Sequence, residues 1–239
     1  VSVPAPPSTP LDHAYQIQRQ RLSQAVTAAA TAIWARAYQD RQRSISQTVQ
    51  IVTVGQKHVV ALVDAYFAAK MLQATGSGTV KGLDPALYTI GVLRGVAADV
   101  VYARPFGALG AAFNAGADKA QAVDSGLAAL TKLAATDLQL AQTHSARDWM
   151  SSEATIVGWR RVLNGASSCP LCTAASTRTY RTSDLMPIHE HCDCTVEPLW
   201  GEHAVASVGT TVRVENDPEL GPRLLADSWS SVGPRLITS

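Results

Sequence analysis

Four cysteines crowd into the last third of this 239-residue chain. They fall as Cys169-Pro-Leu-Cys172 and, sixteen residues further on, within His189-Glu-His-Cys192-Asp-Cys194. All four lie inside 26 residues. Two close pairs joined by a short loop are the spacing of a metal knuckle. Zn²⁺ takes about four soft or borderline ligands in a tetrahedron, and two chelating pairs supply them without a large core. A Cys-x-x-Cys turn lets two thiolates reach one ion. The second cluster offers His189, His191, Cys192 and Cys194, more donors than one ion needs. The favoured set is Cys169, Cys172, His189 and Cys192. A set of four cysteines, which brings in Cys194, is the alternative. Reduced cysteines, or a disulfide between the pairs, is the plain reading without metal. In an extended chain His191 points away from His189, so the two do not share an ion. A site closed by four protein ligands holds loops together and is structural, not catalytic.

The rest of the chain is low in charge. Charged residues make up 16% and hydrophobic residues 46%, with abundant alanine and few aromatics. That balance favours helices and suits a chain that buries surface against partners. The net charge is +1, which excludes a whole-chain electrostatic nucleic-acid binder. Residues 1–150 carry 13 Lys+Arg against 9 Asp+Glu, and residues 151–239 carry 7 against 10. The opening Val-Ser-Val-Pro-Ala-Pro-Pro has neither the basic nor the apolar segment of a secretion signal. Cysteines clustered without such a signal favour thiolates on a metal over disulfides. The longest apolar stretches, Val59–Leu72 and Ile90–Tyr102, are interrupted by Asp64 and Lys70 and by Arg94 and Asp99, so no membrane span is expected.

The expected fold is mainly α. It comprises an extended arm over 1–9, a helical domain over 10–150, a small α+β zinc-knuckle module over 151–204 and an extended tail over 205–239. Thr9-Pro10-Leu11-Asp12 is a helix start, with a capping threonine, proline in the first turn and an acid at the positive end of the dipole. Helical spacing of apolar residues carries that helix to about Asp40. The polar run Arg41–Gln50 is open to continuation or a break, and a second helix is expected from about Val54 to Gln73. Asp84-Pro85 starts a third, to about Tyr102, where Arg104-Pro105 interrupts. A fourth runs from about Ala115 to Met150, with a bend near Gly126. After Gly158 the pattern changes to strands at Trp159–Leu163, Thr179–Arg181 and Thr195–Trp200, with Cys169–Cys172 as a turn. Trp34, Trp149 and Trp159 are expected in a core or an interface, and Arg160-Arg161 on a solvated strand face, with a phosphate or acidic partner as the alternative.

Enzyme motifs are scarce. His189-Glu190-His191 is not the zincin His-Glu-x-x-His, because the second histidine comes too soon. Deaminases place His-x-Glu before Pro-Cys-x-x-Cys, and here the order is reversed. A metal-dependent nuclease of HNH type also builds on Cys-x-x-Cys with nearby histidines, but a following Asn and third His are missing. His144, Ser145 and Asp148 fall in a helical run, where adjacent residues point apart. No Gly-x-Ser-x-Gly turn and no phosphate-binding loop occur.

The segment from Gly158 to Cys172, with Asp184-Leu-Met-Pro-Ile-His-Glu-His-Cys-Asp-Cys194, resembles the MuF-like minor head proteins of tailed phages, in particular their actinobacteriophage branch. Those proteins end in Cys-x-x-Cys followed by His-x-x-Cys-x-Cys. Glu190 stands where the family usually has proline, and His191 where it has asparagine or glycine. The metal-type positions Cys169, Cys172, His189, Cys192 and Cys194 match. Thr136-Asp-Leu-Gln-Leu-Ala141 is similar to the same branch with less specificity. The resemblance implies a minor capsid protein of the virion, assembled in the host cytoplasm. Its partners would be the portal protein, other head proteins and packaged DNA. Some members of that branch carry the label capsid maturation protease, an activity for which this chain offers no constellation. The expectation is a structural and assembly role, with a nuclease or protease as the alternative.

Overall fold

The computed structural model describes residues 9–163, 170–182, 184, 194–200, 212–217 and 221–226, with backbone alone at 170, 171, 212–217 and 221–226. The chain is mainly helical. Its helices are α1 Pro10–Ala37, α2 Arg41–Thr75, α3 Ile90–Arg94, α4 Ala98–Tyr102, α5 Arg104–Asn114, α6 Lys119–Ser151 and α7 Pro170–Ser176. Its strands are β1 Ile156–Val162, β2 Thr179–Tyr180, β3 Thr195–Trp200, β4 Val212–Asp217 and β5 Gly221–Ala226. The arm expected over 1–9 lies outside the described residues except for Thr9. Of the tail over 205–239, the antiparallel pair β4–β5 is described.

The chain forms two compact units. One comprises Ile17–Asp64 and Gly82–Ser145, the other Val1–Gln16, Ala65–Lys81 and Ala146–Ser239. We call them the helical unit and the sheet unit.

In the helical unit, buried Val26, Ala30, Ile33, Trp34 and Ala37 recur on one face of α1. Val52, Val59, Val60 and Val63 of α2 and Leu130, Ala134, Leu138 and Ala141 of α6 complete the core. The polar run after Arg41 opens α2. Asp40 supplies the cap, its carboxylate accepting the Arg43 amide at 3.1 Å. Near Gly126, where a bend is expected, α6 runs unbroken. The glycine serves a close approach instead. A Cβ there would lie 2.4 Å from Trp34 Cζ2, and the indole Nε1 donates to the Val123 carbonyl at 3.2 Å. Lys119 begins α6, four residues later than expected, after a reciprocal cap. The Gln121 amide donates to Asp118 Oδ1 at 2.9 Å, and the Asp118 amide to Gln121 Oε1 at 3.1 Å.

The single helix expected over Asp84–Tyr102 is broken. A 3₁₀ turn, Pro85–Tyr88, precedes α3, and Gly95 at φ 66° ends α3 in the left-handed conformation. Arg104-Pro105 interrupts as expected but also opens α5, since proline in a first turn loses no hydrogen bond. Asp137 of α6 anchors this broken stretch. It accepts from Arg94 Nε at 2.5 Å and Tyr102 Oη at 2.8 Å, and its own carbonyl accepts from Gln56 Nε2 at 3.1 Å.

In the sheet unit, β1 is the centre of an antiparallel sheet in the order β2-β1-β3. Tyr15 stacks on Tyr66 with centroids 4.1 Å apart, and Phe67 meets Trp149 edge-on at 5.2 Å. Trp34, Trp149 and Trp159 are all buried, as expected of core residues.

Candidate cysteine site

Strand β1 places adjacent arginines on opposite faces of the sheet, because side chains alternate along a strand. Arg160 lies directly opposite Glu197 of β3 and bonds it through Nε at 2.6 Å and Nη2 at 2.5 Å. Glu197 also pairs with Lys70 of α2. Lys70 Nζ in turn lies 3.0 Å from Asp12 Oδ1, which accepts the Tyr66 hydroxyl at 2.6 Å. Asp12 is also the acid of the α1 cap, its Oδ2 accepting the Thr9 amide at 2.8 Å. Five charged or phenolic side chains from α1, α2, β1 and β3 therefore form one network. Lys70 and Asp12 in it are buried.

Arg161 faces the other way and is 5% exposed. Its Nη1 lies 2.7 Å from Cys194 Sγ and 3.9 Å from Cys172 Sγ. The expected solvated strand face is thus corrected for Arg161, which is buried on sulfur, while half-buried Arg160 meets the acidic partner of the alternative reading. Cys172 is carried by α7, whose first residue, Pro170, suits a helix start better than the turn expected there. Tyr180 fastens α7 over the sheet. Its ring stacks on Trp159 at 4.3 Å and its hydroxyl donates to the Ala175 carbonyl at 3.1 Å.

Cys172 Sγ and Cys194 Sγ are 3.2 Å apart and not joined by a disulfide. A disulfide needs about 2.05 Å. Two thiolates on one tetrahedral zinc, each about 2.3 Å from the ion, stand about 3.8 Å apart. The pair therefore fits a shared ion after a small opening, with a permanent cation beside it to offset thiolate charge. Cys169, His189 and Cys192 lie outside the described residues. Among the described residues, no third His, Cys, Asp or Glu joins the pair. Among the described residues, the sulfur that meets Cys172 is that of Cys194, the member brought in by the four-cysteine alternative.

Ser145 is bonded into its own helix, its hydroxyl donating to the Ala141 carbonyl at 2.7 Å. The charged network went unread in the sequence, although its signal was there. A lysine inside an apolar helical run, like Lys70 within Val59–Leu72, calls for a buried partner. Asp64 and Arg94, which break apolar runs in the same way, likewise bind: Asp64 Oδ2 accepts the Gly82 amide at 2.8 Å, and Arg94 holds Asp137. Among the described residues, no helix is long and apolar enough to cross a membrane.

Comparison with protein-family models, with curated proteins and with solved structures finds no match to this chain.

Proposed function

We propose that this protein is a structural component of a tailed-phage head, a minor capsid protein of the MuF-like kind. In this reading it docks at the portal and carries a structural zinc. The observation that carries the reading is the meeting of Cys172 and Cys194. One sulfur comes from the Cys-x-x-Cys half of the motif and the other from the His-x-x-Cys-x-Cys half, and they lie 3.2 Å apart. Zinc held there by Cys172 and Cys194, with two further donors from among Cys169, His189 and Cys192, would tie α7 to the start of β3 and so fix the fold of the module.

A docking role also draws support from the surface of the helical unit. Leu87, Val92, Val96, Val100 and Phe113 are each more than a third exposed within one short stretch. Sharing one face, these side chains would offer a surface for a partner to complete.

Co-expression with the portal protein of the same phage tests the reading. The chain should elute with portal at a fixed ratio and hold about one zinc per copy, and Cys172→Ser should lose the metal. Elution apart from portal overturns the assembly role. Metal-dependent cleavage of DNA or of the major head protein by the purified chain would replace it with the enzyme alternative.

A further inference from the structure

We propose that Cys172 and Cys194 form one ligand pair of the metal and that Arg161 is their positioning residue. Its guanidinium donates to the metal-bound sulfurs and offsets their charge. This inference rests on the zinc reading above. Three observations lead to it. Arg161 is 5% exposed, so its charge, which no accessible pH removes, is held in the interior. Its Nη1 reaches both sulfurs, at 2.7 Å and 3.9 Å, from a central strand whose register is fixed on both sides. The two sulfurs come from separate elements, α7 and the residue preceding β3, and Arg161 contacts both.

The chemistry follows from charge. Each thiolate brings one negative charge to a dication, so three thiolates and an imidazole leave a net charge of −1, and four thiolates −2. One buried guanidinium neutralises the first set and only half of the second. Arg161 thus offsets at least half of the surplus charge of either set that holds Cys172 and Cys194. N–H donation to a bound thiolate draws electron density off sulfur. Groups in that outer position typically change metal affinity by about 10–100-fold.

The full chain is titrated with zinc against a chromophoric chelator, as wild type, Arg161→Met and Arg161→Lys. Arg161→Met should bind zinc about 10–100-fold more weakly, and Arg161→Lys, which keeps a donor and a charge, should recover part of the loss. With cobalt(II) in place of zinc, the sulfur-to-metal charge-transfer band of Arg161→Met should move to longer wavelength, a shift that a purely packing role would not cause. Wild-type protein loaded with cadmium-113 adds a measurement independent of whether either variant folds. Scalar coupling should appear between the metal nucleus and the Arg161 guanidinium protons. Metal uptake by wild type with equal affinity and an unmoved band in Arg161→Met, or cadmium bound without that coupling, overturns the role of Arg161 and leaves the zinc reading standing. Wild-type protein that takes up no zinc overturns the reading beneath it.

Discussion

Replacing Lys70 with methionine keeps the length of the side chain and removes its charge. Lys70 is 4% exposed and lies between Asp12 and Glu197. Removing one partner of a buried ion pair costs about 3–5 kcal/mol, because the charge left behind is uncompensated. The low end applies here. Arg160 still holds Glu197, and Tyr66 with Thr9 still holds Asp12. The expected loss is about 3 kcal/mol, and Glu197→Gln alone should cost about 2. In the double variant the neutral glutamine no longer suffers from the missing lysine. The total should then stay near 3 kcal/mol, a coupling of about 2. Urea unfolding followed by tryptophan fluorescence, with Trp149 and Trp159 in the same unit, measures all three. Thermal unfolding of Lys70→Met should fall by about 6–12 °C. A Lys70→Met variant within about 0.5 kcal/mol of wild type, or strict additivity of the pair, would refute the network as a stabilising element.

Acid should act through Asp12. Burial opposes its ionisation, but the Tyr66 hydroxyl, the Thr9 hydroxyl and amide and the Lys70 ammonium outweigh burial and hold its pKa below the ordinary value. The stability this gives is present above the unfolded value of about 3.9 and is lost as pH falls through the folded value. Asp12→Asn should therefore lower stability near neutrality and flatten the acid limb below about pH 4, read from denaturation midpoints across pH. Asp137→Ala strips Arg94 and Tyr102 of their shared acceptor and should cost about 3–5 kcal/mol. Amide exchange should then rise first in residues 90–102. Gly126→Val drives a branched side chain into the Trp34 indole and should cost at least about 2 kcal/mol, with red-shifted tryptophan emission.

The helices were legible where local chemistry decides them. Thr9-Pro10-Leu11-Asp12 marked a start that the structure keeps to the residue, and Thr195–Trp200 marked a strand with the same bounds. Misreadings came where a distant partner decides. The role of Gly126, room for the Trp34 ring within an unbroken α6, is one that propensity does not show. Gly95 ended a helix inside a run that apolar spacing alone carries through to Tyr102. At the cysteine site, spacing found both Cys172 and Cys194, but that their sulfurs meet beside Arg161 depends on how α7 and the start of β3 lie on the sheet. The arginine pair was visible and strand alternation alone splits it between two faces, but what each arginine meets appears only once β3 and α7 are in place.

The sheet unit is discontinuous along the chain, drawing on Val1–Gln16, Ala65–Lys81 and Ala146–Ser239. Its order of synthesis follows from that. Asp12 and Lys70 leave the ribosome early, and Glu197 and Arg160 follow with the last third of the chain. At about 5–20 residues per second, Lys70 is in solution for roughly 6–25 s before Glu197 has been made. During that interval the ammonium stays hydrated, and the segments around it have no sheet to close on. The helical unit, complete by Ser145, can form first. The charged network and the cysteine pair are then closed together by the arrival of β3, so the last-made strand of the three-stranded sheet completes both of its faces at once.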